Sequence, residues 1–439
     1  MNQLLQMFIK LSLHCQREDV ASKVIDLIFE LLLSTRPHIF NIQLVKEIMA
    51  NPVGFVNQFQ PEKQKYVLSG IANVFVFPIP SETYTQEMFN QNIGPYTLFV
   101  QNSLLTPFIQ YAQQGNIVGM NELCKTITMI VKDKDYFEVL TKQLIVQPFI
   151  PLLKDIIPQL LTKCNEECLS MLLQLVMKFE LSLGEVIEED VIIPLCSTLF
   201  MLFNGKIQMI IQQNNKYMDK SLVSFIKILH LYTRSLYQHH QNKLSNQTIN
   251  SLLMQSMTMI TNSIFTELNE NTLGKKIFKV SVSLFFEISK SLYNQLIIND
   301  QYNQLFQTLT IKIISSRDIE LVKDIINQMK EFNNETQYFQ SDEFQTKNLF
   351  YCVELFEILR KNEHSIDDLI ELIYLLLPQN ITNYQQFIQC ILQSFFQKYS
   401  QIDDHQKQFT LQSLIQTTEY EIFYQNIEYF INDMNCYLN

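Results

Sequence analysis

The side chains able to do chemistry come in four small groups. Cys164 and Cys168 stand four apart and, on one helix face, could share a metal ion. No second Cys or His pair at ligand spacing accompanies them, so core thiols are their expected role. His239-His240 closes a long helical pattern and reads as a solvated C-terminal pair favoured by the helix dipole. Asp403-Asp404-His405 reads as a helix N-terminus. The fourth group is the acidic run from Gly184 to Asp190, GEVIEED, at the start of the helix that contains Pro194. Its carboxylates Glu185, Glu188, Glu189 and Asp190 suit a helix start, where the dipole favours negative charge. They equally suit an acidic inter-helix loop that meets a basic partner on a concave surface, and so are the candidate partner-binding residues.

None of these groups assembles into a catalytic constellation. Glu188 and Glu189 adjoin in sequence, so on a helix they point apart and form no acid–base pair. The glycines stand singly, which excludes a glycine-rich phosphate loop, and no GxSxG elbow occurs. No catalytic, metal-binding or cofactor-binding residue is expected, and the chain is not read as an enzyme.

The elements that carry these residues are helical. Of 439 residues 47% are hydrophobic and 18% charged, enough apolar supply for a large core. Only 8 are glycine and 12 proline, too few for the turns of a β-sandwich or the corners of an α/β fold. Net charge is −11, the opposite of the basic field that marks a nucleic-acid binder. An acidic surface suits basic protein partners. The 8 cysteines lie mostly within apolar helical patterns and outline no disulfide framework. The opening MNQLLQMFIK lacks the marks of a secretory signal. The longest apolar run, Val191 to Phe203, falls short of the about 20 residues that span a bilayer, so no membrane insertion is expected.

Helical periodicity fills the chain in blocks separated by short polar breaks. Pro61 followed by Glu62 marks a helix start, and Asn165 before Glu166 and Glu167 marks an N-cap. Ser365 before Asp367 and Asp368 reads the same way, while Asn204-Gly205 and Gly274 read as turn or C-cap positions. Paired, the blocks 116–131 with 133–163, 165–180 with 184–204 and 217–240 with 244–266 repeat at the period of HEAT and armadillo units. Each pair has an apolar face that only stacking covers. The expected fold is therefore an all-α solenoid of stacked antiparallel helix pairs. Proline use divides it into residues 1–210, with kinked HEAT-like repeats, and a continuous, more regular 211–439.

One stretch tests the proline logic. Val146 to Leu161, VQPFIPLLKDIIPQLL, keeps an apolar stripe through three prolines. Pro148 is expected at the first helical position and Pro151 within the first turn, where a missing N–H costs little. Pro158 is interior and is expected to kink the helix.

Residues from about Pro61 to Lys206 resemble the importin-β superfamily, the karyopherins, and most closely the transportin-SR and importin/exportin branch. The likeness rests on EKQKYVLSGIANVF (Glu62–Phe75), QPFIPLLKDIIPQLLTKCNEECLSMLLQLVMKF (Gln147–Phe179) and VIIPLCSTLFMLFNG (Val191–Gly205). It implies a superhelical transport receptor that shuttles between cytoplasm and nucleus, holds protein cargo on its inner surface and responds to the GTPase Ran. Karyopherins are considerably longer and bind Ran mainly through N-terminal repeats, so the resemblance is to a C-terminal half, for which cargo is implied more firmly than Ran. A generic HEAT or armadillo scaffold, such as a subunit of a phosphatase, trafficking or cytoskeletal complex, would show the same periodicity.

Overall fold

A computed structural model describes residues 2–34, 42–76, 86–135, 137–203, 216–261, 272–293, 319–341, 349–361, 366–378, 381–399, 402–415 and 419–438, with a few single positions between them. Among these residues the regular structure is helical and no strand occurs. The chain forms two compact units, Met1–Leu252 and Leu253–Asn439. Both are stacks in which a helix packs on its next neighbours and on helices one repeat away, which is how a helical solenoid buries its stripes.

The first unit runs α1 (Asn2–His14), α2 (Glu18–Ser34), α3 (Gln43–Ala50), α4 (Pro52–Val56), α5 (Pro61–Val76), α6 (Gln86–Val100), α7 (Thr106–Gln113) and α8 (Ile117–Val131). It continues with α9 (Val139–Val146), α10 (Ile157–Leu161), α11 (Glu166–Leu183), α12 (Glu189–Phe203) and α13 (Lys216–His239). The division between units falls inside α14 (Gln247–Met259). One row of helices is α2, α5, α8, α11 and α13, each packed on the next. The helices between them, α6, α7, α9, α10 and α12, form the other row.

Local chemistry sets several of these boundaries. Pro61 is the first residue of α5, as its spacing predicts. Asn165 caps α11 by accepting a hydrogen bond from the Cys168 N–H at 2.9 Å, with Glu166 and Glu167 in the first turn. Close packing of α2 on α5 depends on Gly70, where an added Cβ would lie 2.0 Å from the Phe29 ring. Lys63 is fully buried, and its ammonium donates to the carbonyls of Ser12 at 3.1 Å, Leu13 at 3.4 Å and Cys15 at 2.7 Å. Those carbonyls end α1 and have no helical partner, so the cation satisfies them and complements the dipole. Gly274, expected as a turn or cap, instead lies in the first turn of a helix beginning at Thr272. Asn204-Gly205 and Ser365 lie outside the described residues.

The proline-bearing helices depart from the sequence expectation. No helix starts at Pro148, and no break precedes it. One helical run extends from Val139 to Leu161 through a 3-10 turn at Gln147–Phe149 and a π-turn at Leu152–Ile156. Its bend of 50° falls between Phe149 and Leu152, at Pro151, and the kink expected at Pro158 is absorbed locally. The reason is geometric. A π-turn bonds each carbonyl one residue further along, which relieves the demand for an N–H at Pro158 and opens room for its ring. The same grammar occurs earlier in the chain, where α6 runs into α7. Gln101–Leu105 forms a π-turn and Thr106-Pro107 follows, just as Ile157-Pro158 follows Leu152–Ile156. Pro95 sits inside α6. The bent run packs inward: Phe149 meets Phe179 of α11 edge-to-face with centroids 5.4 Å apart. Among the described residues no single helix is long and apolar enough to cross a membrane; this bent run passes on length and composition together, and most of its apolar residues are buried in the core while Val139 is exposed.

The second unit comprises α15 (Thr272–Ser291), α16 (Ile319–Thr336), α17 (Leu349–Lys361), α18 (Ile366–Leu376), α19 (Ile381–Gln397), α20 (Asp404–Ile415) and α21 (Tyr420–Leu438). Helices α15, α16, α18 and α21 form one row, and α17 packs on α19 beside them. Polar ties join equivalent positions of successive repeats. Lys290 reaches Glu331 and Glu335, Lys330 reaches Glu371, Lys398 reaches Glu354, and the Tyr399 hydroxyl donates to Glu357. The linked residues are 41 to 45 apart in sequence. That spacing matches the HEAT and armadillo period of about 40–47 residues and exceeds the about 34 of a TPR unit.

Candidate interaction surfaces

The acidic run is a short 3-10 turn, Gly184–Val186, followed by Ile187 and Glu188 and then the first turn of α12. Three of its four carboxylates pair with lysines from other elements. Glu185 meets Lys142 of α9 at 2.5 Å, and Glu189 meets Lys243 at 3.0 Å. Asp190 pairs with Lys154 of the π-turn. Burial would raise the Glu189 pKa; its own backbone N–H and Lys243 outweigh that and hold it below the usual range. Asp190 in turn raises the pKa of Lys154. Glu188 is exposed and carries no ion pair among those described. The run therefore ties α9, the π-turn and the residues after α13 together, and Glu188 with the outer side of Asp190 is what it turns to solvent.

His239 ends α13 as expected, but the pair is not simply solvated. His240 Nε2 lies 2.9 Å from the Glu185 carbonyl oxygen, and His239 Nδ1 lies 4.0 Å from the Glu185 carboxylate. Cys164 and Cys168 are not on one helix face: α11 starts at Glu166, and Cys164 lies in the turn before it. The two thiols still interact. Hydrogen bonding from Cys168 holds Cys164 below the usual thiol pKa and pushes Cys168 up. Asp403 accepts the Gln406 N–H at 2.8 Å, and the Gln406 side chain accepts the Asp403 N–H at 3.3 Å, a reciprocal cap at the start of α20. Among the described residues no group of three or more His, Cys, Asp or Glu side chains is placed to hold a metal ion.

Beneath the acidic run lies a feature the sequence reading passed over. Glu180 of α11 is fully buried, and neither carboxylate oxygen has a hydrogen-bond partner among the described residues. The Tyr232 hydroxyl and Ser235 Oγ of α13 are likewise buried and unpartnered. A Cβ added to Gly184 would come within 3.1 Å of Glu180 Oε2 and 3.9 Å of Ser235 Oγ, so the glycine lets these groups converge. Burial pushes the Glu180 pKa up to about 8, so at neutral pH it is held as the uncharged acid. The signal was present in the sequence. Glu180 stands four residues after Val176 and three before Leu183, on the buried stripe of α11.

Each unit has a cleft on its described surface. In the first unit a cleft of roughly 660 Å3 runs between α3, α4 and α6. Its walls are apolar apart from Asn51, Asn102 and Ser103, and Val53 and Leu98 form exposed lips. In the second unit a cleft of roughly 500 Å3 is lined by tyrosines, asparagines and the Lys330–Glu371 pair.

This architecture, helices stacked in rows with cross-ties at repeat spacing, defines a helical-repeat protein. Residues 277–439 match the family described as exportin-6, C-terminal TPR repeats. The match to an exportin family falls in the C-terminal portion of the chain, and residues 61–206, which carried the karyopherin resemblance in sequence, lie outside it. No curated protein matches the chain. Over 97% of this chain and 98% of the other, it aligns with the crystal structure of an engineered protein, at 11% identity and a TM-score of 0.35. At that score the alignment carries nothing about fold or function.

Proposed function

We propose that this protein is a non-enzymatic, karyopherin-like transport receptor that binds protein cargo on its helical-repeat surface and shuttles between nucleus and cytoplasm. The observation that carries the reading is the match of residues 277–439 to the C-terminal repeats of an exportin. The family's name favours export over import. Stacked repeats suit the role, because they present a long surface whose side chains vary without disturbing the core. The net charge of −11 favours cargo with basic surfaces. Glu188 and Asp190, on the solvent side of the acidic run, are a proposed part of that surface. Ran is the proposed regulator, since exportins as a class load cargo with it.

The test is affinity capture from nuclear extract with the full chain, in the presence of Ran locked with GTP or loaded with GDP. The expected result is a set of proteins retained with the GTP form and released with the GDP form. A retained set identical under both nucleotides, or no Ran retained at all, would overturn the transport reading.

A further inference from the structure

The cleft of the second unit has a built chemistry of its own. Helix α18 presents Asp367, Glu371 and Tyr374 at positions i, i+4 and i+7, one continuous stripe along its face. Glu371 and Tyr374 line the cleft, and Asp367 lies one turn beyond, where it accepts a hydrogen bond from Tyr424 at 2.5 Å. Opposite stand Lys330 and Asn334 of α16 and Tyr420 of α21. The Tyr374 and Tyr420 rings meet edge-to-face with centroids 5.0 Å apart. Tyr420 also packs on Tyr424, with ring centroids 6.2 Å apart, and remains 38% exposed, so part of its side chain is open to a ligand. Tyr384 is buried and fixed by donating to the Leu414 carbonyl at 2.7 Å, which makes a rigid floor.

The charge around this cleft is one-sided. Asp367 and Asp368 lie close enough to Tyr420 to add to the burial that raises its pKa, and Glu419 does the same to Tyr374. Against these carboxylates and Glu371, the described residues of the cleft lining supply one cation, Lys330, and it is bound to Glu371. Both partners of that pair are more than a third exposed, at 36% and 38%. An exposed ammonium–carboxylate pair is weak and readily exchanged.

We propose that this cleft is a docking site for an arginine-bearing segment of a protein partner, and that Lys330 occupies the arginine's place on Glu371 when no partner is bound. Arginine fits each wall. Its planar guanidinium stacks on an exposed tyrosine ring, and its fork of donors meets a carboxylate through two bonds where Lys330 offers a point charge. Asn334 lies on the exposed side of α16 and offers amide groups to the backbone of an extended peptide. The carboxylate rim repels nucleic acid and selects a basic peptide. The inference deepens the cargo-binding reading by naming what one surface recognises, but it needs neither Ran nor nuclear transport.

The test is direct titration of the full chain, without Ran, using a fluorescein-labelled glycine–serine peptide that carries clustered arginines. Lysine and citrulline counterparts of the same length serve as comparisons. The arginine peptide is expected to bind roughly tenfold more tightly than the lysine peptide, and the citrulline peptide not at all. Glu371→Gln is expected to weaken binding about tenfold, and Tyr420→Ala several-fold. Lys330→Gln is expected to tighten it several-fold, because Glu371 is released; a gain of affinity also shows that the variant is folded. Asp404→Asn, on an exposed side chain outside the cleft, is expected to change nothing. Equal binding of arginine and citrulline peptides, weaker binding by Lys330→Gln, or equal losses from Glu371→Gln and Asp404→Asn would each overturn the proposal. Because Ran is absent throughout, these outcomes are separate from those of the nucleotide-dependent capture.

Discussion

The two units hold their repeats together differently. In the first unit the second row of helices carries Pro95, Pro107, Pro148, Pro151, Pro158 and Pro194, and its backbone adapts through one 3-10 turn, two π-turns and a 50° bend. Three of its ion pairs gather around one segment, Gly184 to Asp190, while Lys65 ties α5 to Glu18 of α2. In the second unit the described helices contain no proline, and Pro378 follows the end of α18. Its polar ties are spread along the stack at repeat spacing, from Lys290 to Lys398. Irregular backbone with a dense polar hub, and regular backbone with a ladder of side-chain ties, are therefore two solutions to the same problem: fixing how one helical pair sits on the next.

That contrast can be broken most sharply by moving a proline. Asn327→Pro, at an exposed interior position of α16, is expected to cost about 3 kcal/mol or more, because no π-turn is present to absorb it. Pro158→Ala in the first unit should cost less than about 1 kcal/mol, since the turn there already meets the backbone's needs. Denaturant unfolding of both variants checks the comparison, and equal losses would erase it.

A smaller effect probes the ladder. The Lys290 side chain is only 4% exposed and sits among Glu287, Glu331 and Glu335. Burial alone would lower its pKa; the three carboxylates outweigh that and raise it. Lys290→Met keeps the shape and removes the charge. It is expected to cost about 1–2 kcal/mol, discounted because Glu331 and Glu335 are partly solvated. The raised pKa means that the stabilisation is complete at neutral pH and disappears only as pH rises through the folded-state value.

The smallest effect is a change of slope. Glu180 titrates ordinarily near 4.5 and in the fold near 8, so the native state keeps a proton that the unfolded chain releases. Its stabilising contribution is full below 4.5 and is lost as pH rises toward 8. Glu180→Gln should therefore leave the melting temperature nearly unchanged at pH 5 and raise it relative to the parent by a few degrees at pH 8. A parallel pH dependence in both proteins would show that Glu180 finds a partner.

What the sequence disclosed follows from the range of each interaction. The start of α11 at Asn165 and the start of α5 at Pro61 are local signals, and both were legible. Pro148 and Pro158 were misjudged because the rules for proline describe an α-helix, and here the turns around them are not α. The acidity of Glu185, Glu189 and Asp190 was plain. Their lysines were not, since Lys142 and Lys154 stand 43 and 36 residues upstream of their partners and only the fold brings them together. The second-unit cleft was invisible for the same reason: the stripe Asp367, Glu371 and Tyr374 is regular along α18, but its opposite wall comes from α16 and α21.

The paired π-turns have one more consequence. A turn closed five residues back holds one residue more than an α-turn, so everything after it keeps the angular phase it would have had in a shorter, regular helix. Gln101–Leu105 and Leu152–Ile156 thus each act as a spare residue stored inside a helix. These are the places in the first unit where the chain can lose a residue and still present the same side chains to the same neighbours. Length variation, which in most folds is confined to loops, here has a place within the stacked elements themselves.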